Sequence, residues 1–263
     1  MKPIALTTLL TVALTTGVPS YAGTACEVKS GPATAALVEL YTSEGCSSCP
    51  PADRELNRLP LRLGAGAAVV PLALHVSYWD DLGWKDAFDD KTFDRRQSDL
   101  VAAGNGHVVY TPQFFVNGGE LRGWGDGGLA DAIRRVNARP ATVDIALRAR
   151  AAPAAAGVVS LDAAASGAGG MQVAGDLYVA VTESGLTSRV LRGENGGATL
   201  HHDDVVRRWY GPVALARGKA RLHAELIVPA GWDRRRLRVA AFVQAPHDGA
   251  VLQAVDTAPC VAQ

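Results

Sequence analysis

Two cysteines, Cys46 and Cys49, are separated by Ser47-Ser48 in a C-x-x-C pair. A thiolate attacks a disulfide sulfur through a mixed disulfide, and a second cysteine close by can resolve it. This spacing therefore suits thiol–disulfide exchange, with Cys46 as the attacking sulfur and Cys49 as the resolving one. It also suits half of a zinc site. His75 widens that second option, because Cys46, Cys49 and His75 together make a soft ligand set for copper or zinc. A third use is structural: the pair closes a local disulfide in a redox-inert protein that binds a partner elsewhere. Further along, Thr111-Pro112 is placed to make a cis-proline turn, whose backbone would pair with an extended substrate. The Ser77-Tyr78-Trp79-Asp80-Asp81 stretch is unusually aromatic for a loop, and Tyr78 and Trp79 are candidate substrate contacts, with Trp84 close behind. His201-His202-Asp203-Asp204 has the residue types of metal ligands but no spaced further partner, so no metal is assigned to it. These motifs call for no cofactor.

The elements that must position these residues follow from the pattern of apolar positions. Residues 35–41 are an apolar run suited to a buried strand, and Thr42 to Gly45 read as a turn. Pro50-Pro51 then opens a helix, where a missing N–H costs nothing. A second apolar strand spans 69–76. Residues 86–103 have helical spacing and stop at Gly104, and 113–119 form a strand running into a turn with a short partner at 120–123. A last amphipathic helix covers 128–138, and Pro140 ends it. This order of strand, C-x-x-C, helix, strand, helix, Thr-Pro and strand pair is that of a thioredoxin-like α/β domain, assigned to residues 23–140. On that reading Cys46 sits at the helix start, where free N–H groups favour its thiolate. From residue 141 the texture changes to short alternating stretches at 142–148, 176–181, 219–228 and 236–244, separated by turns such as Asn195-Gly196-Gly197. That predicts an all-β, sandwich-like C-terminal domain over 141–263.

Residues 1–22 read as a secretory signal peptide. Lys2 precedes the apolar run Ile4–Leu14, and Ser20-Tyr21-Ala22 supplies a cleavage site after Ala22. The mature chain is then periplasmic or secreted, where disulfides persist. The other two cysteines, Cys26 and Cys260, lie at opposite ends of that chain. Bonded together they would form a structural disulfide worth about 4–5 kcal/mol on the chain-entropy account; the alternative is two free thiols. Lys plus Arg and Asp plus Glu both number 26, giving a net charge of zero. That balance argues against a nucleic-acid partner. No stretch after the signal is long and apolar enough to cross a membrane. The expected partner is a protein or small molecule carrying a thiol or disulfide.

Residues 38–53, the 75–86 stretch and Tyr110-Thr111-Pro112-Gln113 resemble the secreted bacterial proteins grouped as domain of unknown function 1223, within the thioredoxin-like superfamily. Gly193-Glu194-Asn195-Gly196-Gly197 and the nearby Val205-Val206-Arg207 agree with that resemblance. It implies a thioredoxin-like fold with a β-rich C-terminal part, and it implies no particular reaction.

Overall fold

The computed structural model describes residues 25–64, 66–151 and 157–259. The signal segment 1–22 and Cys260 lie outside the described residues. Fourteen strands and four α-helices follow one another along the described chain.

The first strand, β1 (Ala25–Lys29), is followed by β2 (Ala36–Thr42), which is buried along its whole length. Then come α1 (Pro50–Asn57), the short α2 (Leu59–Leu63) and β3 (Val69–His75). Helix α3 (Lys91–Ala103) starts at Asp90, whose side chain accepts the Thr92 amide. Strands β4 (Gln113–Val116) and β5 (Gly119–Glu120) form a hairpin, and α4 (Gly128–Asn137) follows. The remaining chain is β6 (Val143–Ala151), β7 (Val158–Gly167), β8 (Asp176–Glu183), β9 (Leu186–Arg189), β10 (Thr199–His202), β11 (Val205–Ala214), β12 (Lys219–Ile227), β13 (Leu237–Gln244) and β14 (Val251–Asp256).

Eight strands make one mixed sheet in the order β14-β13-β8-β11-β3-β2-β4-β5. A four-stranded antiparallel sheet, β1-β6-β7-β12, and the β9–β10 hairpin complete the strand pairings. One face of the large sheet carries Leu37, Tyr41, Leu72, Leu74, Ala180 and Phe242 in a single core with Phe93 and Leu100 of α3. The other face is covered in two parts. Near β2 and β3, Val38, Leu40 and Ala73 pack with Leu56 of α1 and with Leu129 and Ile133 of α4. Near β8 and β13, Val179, Val181, Val239 and Ala241 pack against Ile145, Leu147 and Leu161 of the four-stranded sheet.

This arrangement corrects the expectation of an α/β thioredoxin-like domain followed by an all-β sandwich-like domain. Strand residues far outnumber helical ones, and the main sheet does not stop at residue 140. Its strands come from both halves of the chain and meet where β11 runs parallel to β3, with Val205 opposite Ala73. The earliest strand goes the other way: β1 pairs with β6, from Cys26 opposite Ala149 to Lys29 opposite Ala146. The physical reason is that alternation shows which side chains face inward but not which strand edge receives the next strand. β8 and β13 are buried on nearly every residue. Small Ala180 and Ala240 and aromatic Phe242 fill the second face, which an independent sandwich would leave exposed.

Candidate active site

Strand β2 ends at Thr42, and the following turn brings the chain back over the sheet edge. The Cys46 amide donates to Ser43 O at 3.2 Å, and the Cys49 amide donates to Cys46 O at 3.2 Å. Cys49 is the N-cap residue of α1, and its carbonyl accepts the Ala52 and Asp53 amides. The helix therefore starts beyond Cys46 rather than at it, because Pro50 and Pro51 fill its first turn. Cys46 and Cys49 are joined as a disulfide, with their Cα atoms 5.4 Å apart. Each residue is 0% exposed.

Three segments close over this turn. Trp79, just after β3, lies against Gly45: a side chain at Gly45 would begin 3.3 Å from the Trp79 Cβ. The same indole donates to Thr111 Oγ1 at 2.8 Å. Trp79 thus ties the C-x-x-C turn to Thr111-Pro112, whose peptide bond is cis. Gln97 of α3 holds that loop by donating to Tyr110 O at 2.8 Å and to Gln113 Oε1 at 2.7 Å. Tyr78 is exposed, with its hydroxyl donating to Gln97 Oε1.

The third segment is the loop between β9 and β10. Asn195 Nδ2 donates to Glu44 O and to Cys46 O, each at 2.9 Å. Glu194 Oε2 accepts the Ser47 amide at 3.0 Å. Gly193 packs against Gly83 and Trp84, and a side chain on Gly193 would begin 3.2 Å from the Trp84 Cβ.

Beneath the turn is a buried polar cluster. His75 Nδ1 lies 2.7 Å from Asp86 Oδ2, which also accepts the Glu44 amide at 2.8 Å. Trp84 Nε1 donates to Glu44 Oε2, and Glu44 Oε1 lies 3.3 Å from His202 Nε2. Thr42 Oγ1 donates to Asp53 Oδ1 at 2.8 Å. Among the described residues, the buried side-chain atoms without a hydrogen-bond partner are Glu44 Oε1, His75 Nε2 and His202 Nε2, all in this cluster. Burial disfavours a charged His75, but the Asp86 carboxylate outweighs it and raises the imidazole pKa. Burial likewise works against the Asp86 charge, and His75 with the Glu44 and Phe88 amides holds that carboxyl below its usual range. Burial pushes the Asp53 carboxyl up.

The sequence profile of the family described as protein of unknown function DUF1223 matches residues 37–244. The chain belongs to this DUF1223 family. Two solved structures are similar to it. One is a structural-genomics protein of Agrobacterium tumefaciens, 25% identical, with a TM-score of 0.60 over 88% of this chain and 97% of that one. The other is HBP35 of Porphyromonas gingivalis, 16% identical, with a TM-score of 0.63 over 86% of this chain and 76% of that one. No curated protein matches the chain.

The residues singled out in this DUF1223 chain fall into two groups. Trp79 links the turn that carries Cys46 and Cys49 to Thr111-Pro112, and Tyr78 lies beside it in the chain. Cys26 is buried on β1, and its expected partner Cys260 lies outside the described residues. His75 is directed to Asp86, and the four residues 201–204 do not converge. His201 is exposed beside Thr187, whereas His202 is buried on the opposite side of β10. Among the described residues, no group of three or more His, Cys, Asp or Glu side chains is arranged to hold a metal ion. No helix among them is long and apolar enough to cross a membrane. The contribution of Asn195 and Glu194 is not legible in spacing: Asn195-Gly196 reads as a hairpin turn, and its side-chain bonds to a cysteine loop far earlier in the chain depend on the fold.

Proposed function

We propose that this protein is an exported thiol–disulfide oxidoreductase in which Cys46 and Cys49 are the exchanging pair. In the reducing direction the Cys46 thiolate attacks a substrate disulfide, forming a mixed disulfide and releasing one substrate thiolate. The Cys49 thiolate then attacks Cys46 Sγ, releases the second substrate thiolate and closes Cys46–Cys49. Two cysteine thiols are oxidised as one substrate disulfide is reduced, and the reverse sequence oxidises a dithiol. The observation that carries this reading is the Trp79 bridge: the residue lies against Gly45 of the disulfide turn and its indole donates to Thr111. The Thr111 loop would then position an extended substrate chain along the sulfurs. Export follows from the sequence of residues 1–22, and an oxidised C-x-x-C fits a periplasmic or secreted location.

The complete burial of both cysteines favours a second reading, a redox-inert protein in which the bond is a staple. A redox titration separates the two. Exchange proteins have potentials of about −120 to −270 mV, whereas structural disulfides lie below roughly −300 mV. A value in the upper range together with mixed disulfides trapped on Cys49→Ala supports exchange; a value in the lower range overturns it.

A further inference from the structure

The β9–β10 loop holds the backbone of the cysteine turn by three hydrogen bonds, yet it belongs to a distant part of the chain. Its base is fixed: His202 lies against Glu44, and Asn57 of α1 donates to His201 O. Its tip is glycine-rich, with Gly193 and Gly197 at positive φ, and touches the site through Glu194 and Asn195 alone among its polar side chains. With this tip in place both cysteines are inaccessible.

The segments that meet at the tip carry several exposed apolar side chains among polar ones. Among the described residues, eight large hydrophobic side chains are exposed, and five of them lie in the segments that meet here: Tyr78 and Leu82 next to Trp79 and Gly83, Leu191 two residues before Gly193, and Val108 and Val109 shortly before Thr111. Clustered exposed apolar groups mark interaction surfaces, whereas scattered ones need no explanation. A small polar thiol gains nothing from such a rim. An extended polypeptide with apolar side chains can cover it and replace the backbone bonds that Asn195 and Glu194 now make.

We propose that the loop 190–198 is a cap over Cys46–Cys49 that an extended apolar polypeptide displaces, and that small thiols are kept out. This rests on the exchange reading above. The peptide thiolate attacks Cys46 Sγ and expels the Cys49 thiolate, which takes a proton from solvent. A second peptide thiolate resolves the mixed disulfide, so two peptide thiols are oxidised as Cys46–Cys49 is reduced.

The test follows the opening of Cys46–Cys49 in the full mature chain, by quenching with an alkylating agent and weighing the products. Three reductants are compared at equal thiolate concentration: glutathione, a decapeptide with one cysteine among Leu and Val, and its Ser/Gly counterpart. The apolar peptide is expected to open the wild-type bond at least tenfold faster than the other two. Asn195→Ala should accelerate glutathione at least tenfold and shrink the peptide's advantage. Glu194→Ala, at an exposed position, should shift rates the same way and serves if Asn195→Ala fails to melt cooperatively. Equal rates for the three reductants, or no acceleration by glutathione in either variant, overturn the cap. The midpoint potential, an equilibrium quantity, is measured separately. A structural-range potential defeats the exchange reading, while a normal exchange potential with unchanged rates defeats the cap alone.

Discussion

The Ala73 amide donates to Asp204 O at 2.9 Å, and this bond stands at the one place where the two halves of the main sheet join. Asp204 holds positive φ there, and its side chain is buried beside Ser184. Burial pushes its carboxyl up to about 6, from 3.8 when exposed. A raised carboxyl binds its proton more tightly when folded, so its stabilising contribution is full below about pH 4 and is lost as pH rises through about 6. Asp204→Asn keeps the shape and an acceptor and tolerates the left-handed backbone. The variant should gain on the order of 2 kcal/mol at pH 7 and little at pH 4. Urea unfolding of both proteins across this range checks it, and parallel pH profiles would refute it.

Gln253 makes four bonds from a fully buried position. Its Oε1 accepts the Ala35 and Ala254 amides, and its Nε2 donates to Gly31 O and Ala33 O. Replacing it by Leu preserves volume and strands those groups. We expect Gln253→Leu to cost on the order of 3 kcal/mol, since each buried unpaired group loses about 1 kcal/mol or more. A shift in the denaturation midpoint at constant slope measures it.

Arg96 and Glu39 form a buried ion pair, with the guanidinium also donating to Gln244 Oε1 and lying 4.7 Å from the Trp209 ring centre. Lysine cannot reproduce the fork or the stacking. Arg96→Lys should destabilise by roughly 3 kcal/mol, whereas the double change Glu39→Leu with Arg96→Met should recover most of that loss. A double-mutant cycle reads the difference.

Reducing Cys46–Cys49 opens only a short loop. The chain-entropy account gives about 2 kcal/mol for a loop of this size. The reduced protein should therefore remain folded, with a lower melting temperature and an unchanged far-UV spectrum. Unfolding on reduction would contradict this.

Cys26 sits on β1, which lies against β14 near the C-terminal end of the described chain. We expect a Cys26–Cys260 disulfide that resists the mild reductant that opens Cys46–Cys49 once the cap is displaced. Non-reducing peptide mapping should recover the cross-linked peptide; alkylated thiols at both positions in protein taken from an oxidising compartment would refute it.

The sequence by itself determined the local elements that carry the chemistry. A run of buried aliphatics makes β2, two prolines open α1 directly after Cys49, and Thr111-Pro112 precedes β4, because strand propensity, helix-start chemistry and turn geometry all act over a few residues. The tertiary structure decided the rest. The pairing of β11 with β3, the departure of β1 to the second sheet and the seating of Asn195 on Cys46 all join residues far apart in the chain. Apolar patterning marks which faces must be buried, but many partners can bury them. The choice is made by the whole chain at once, through the edge hydrogen bonds and core volumes that one arrangement satisfies together.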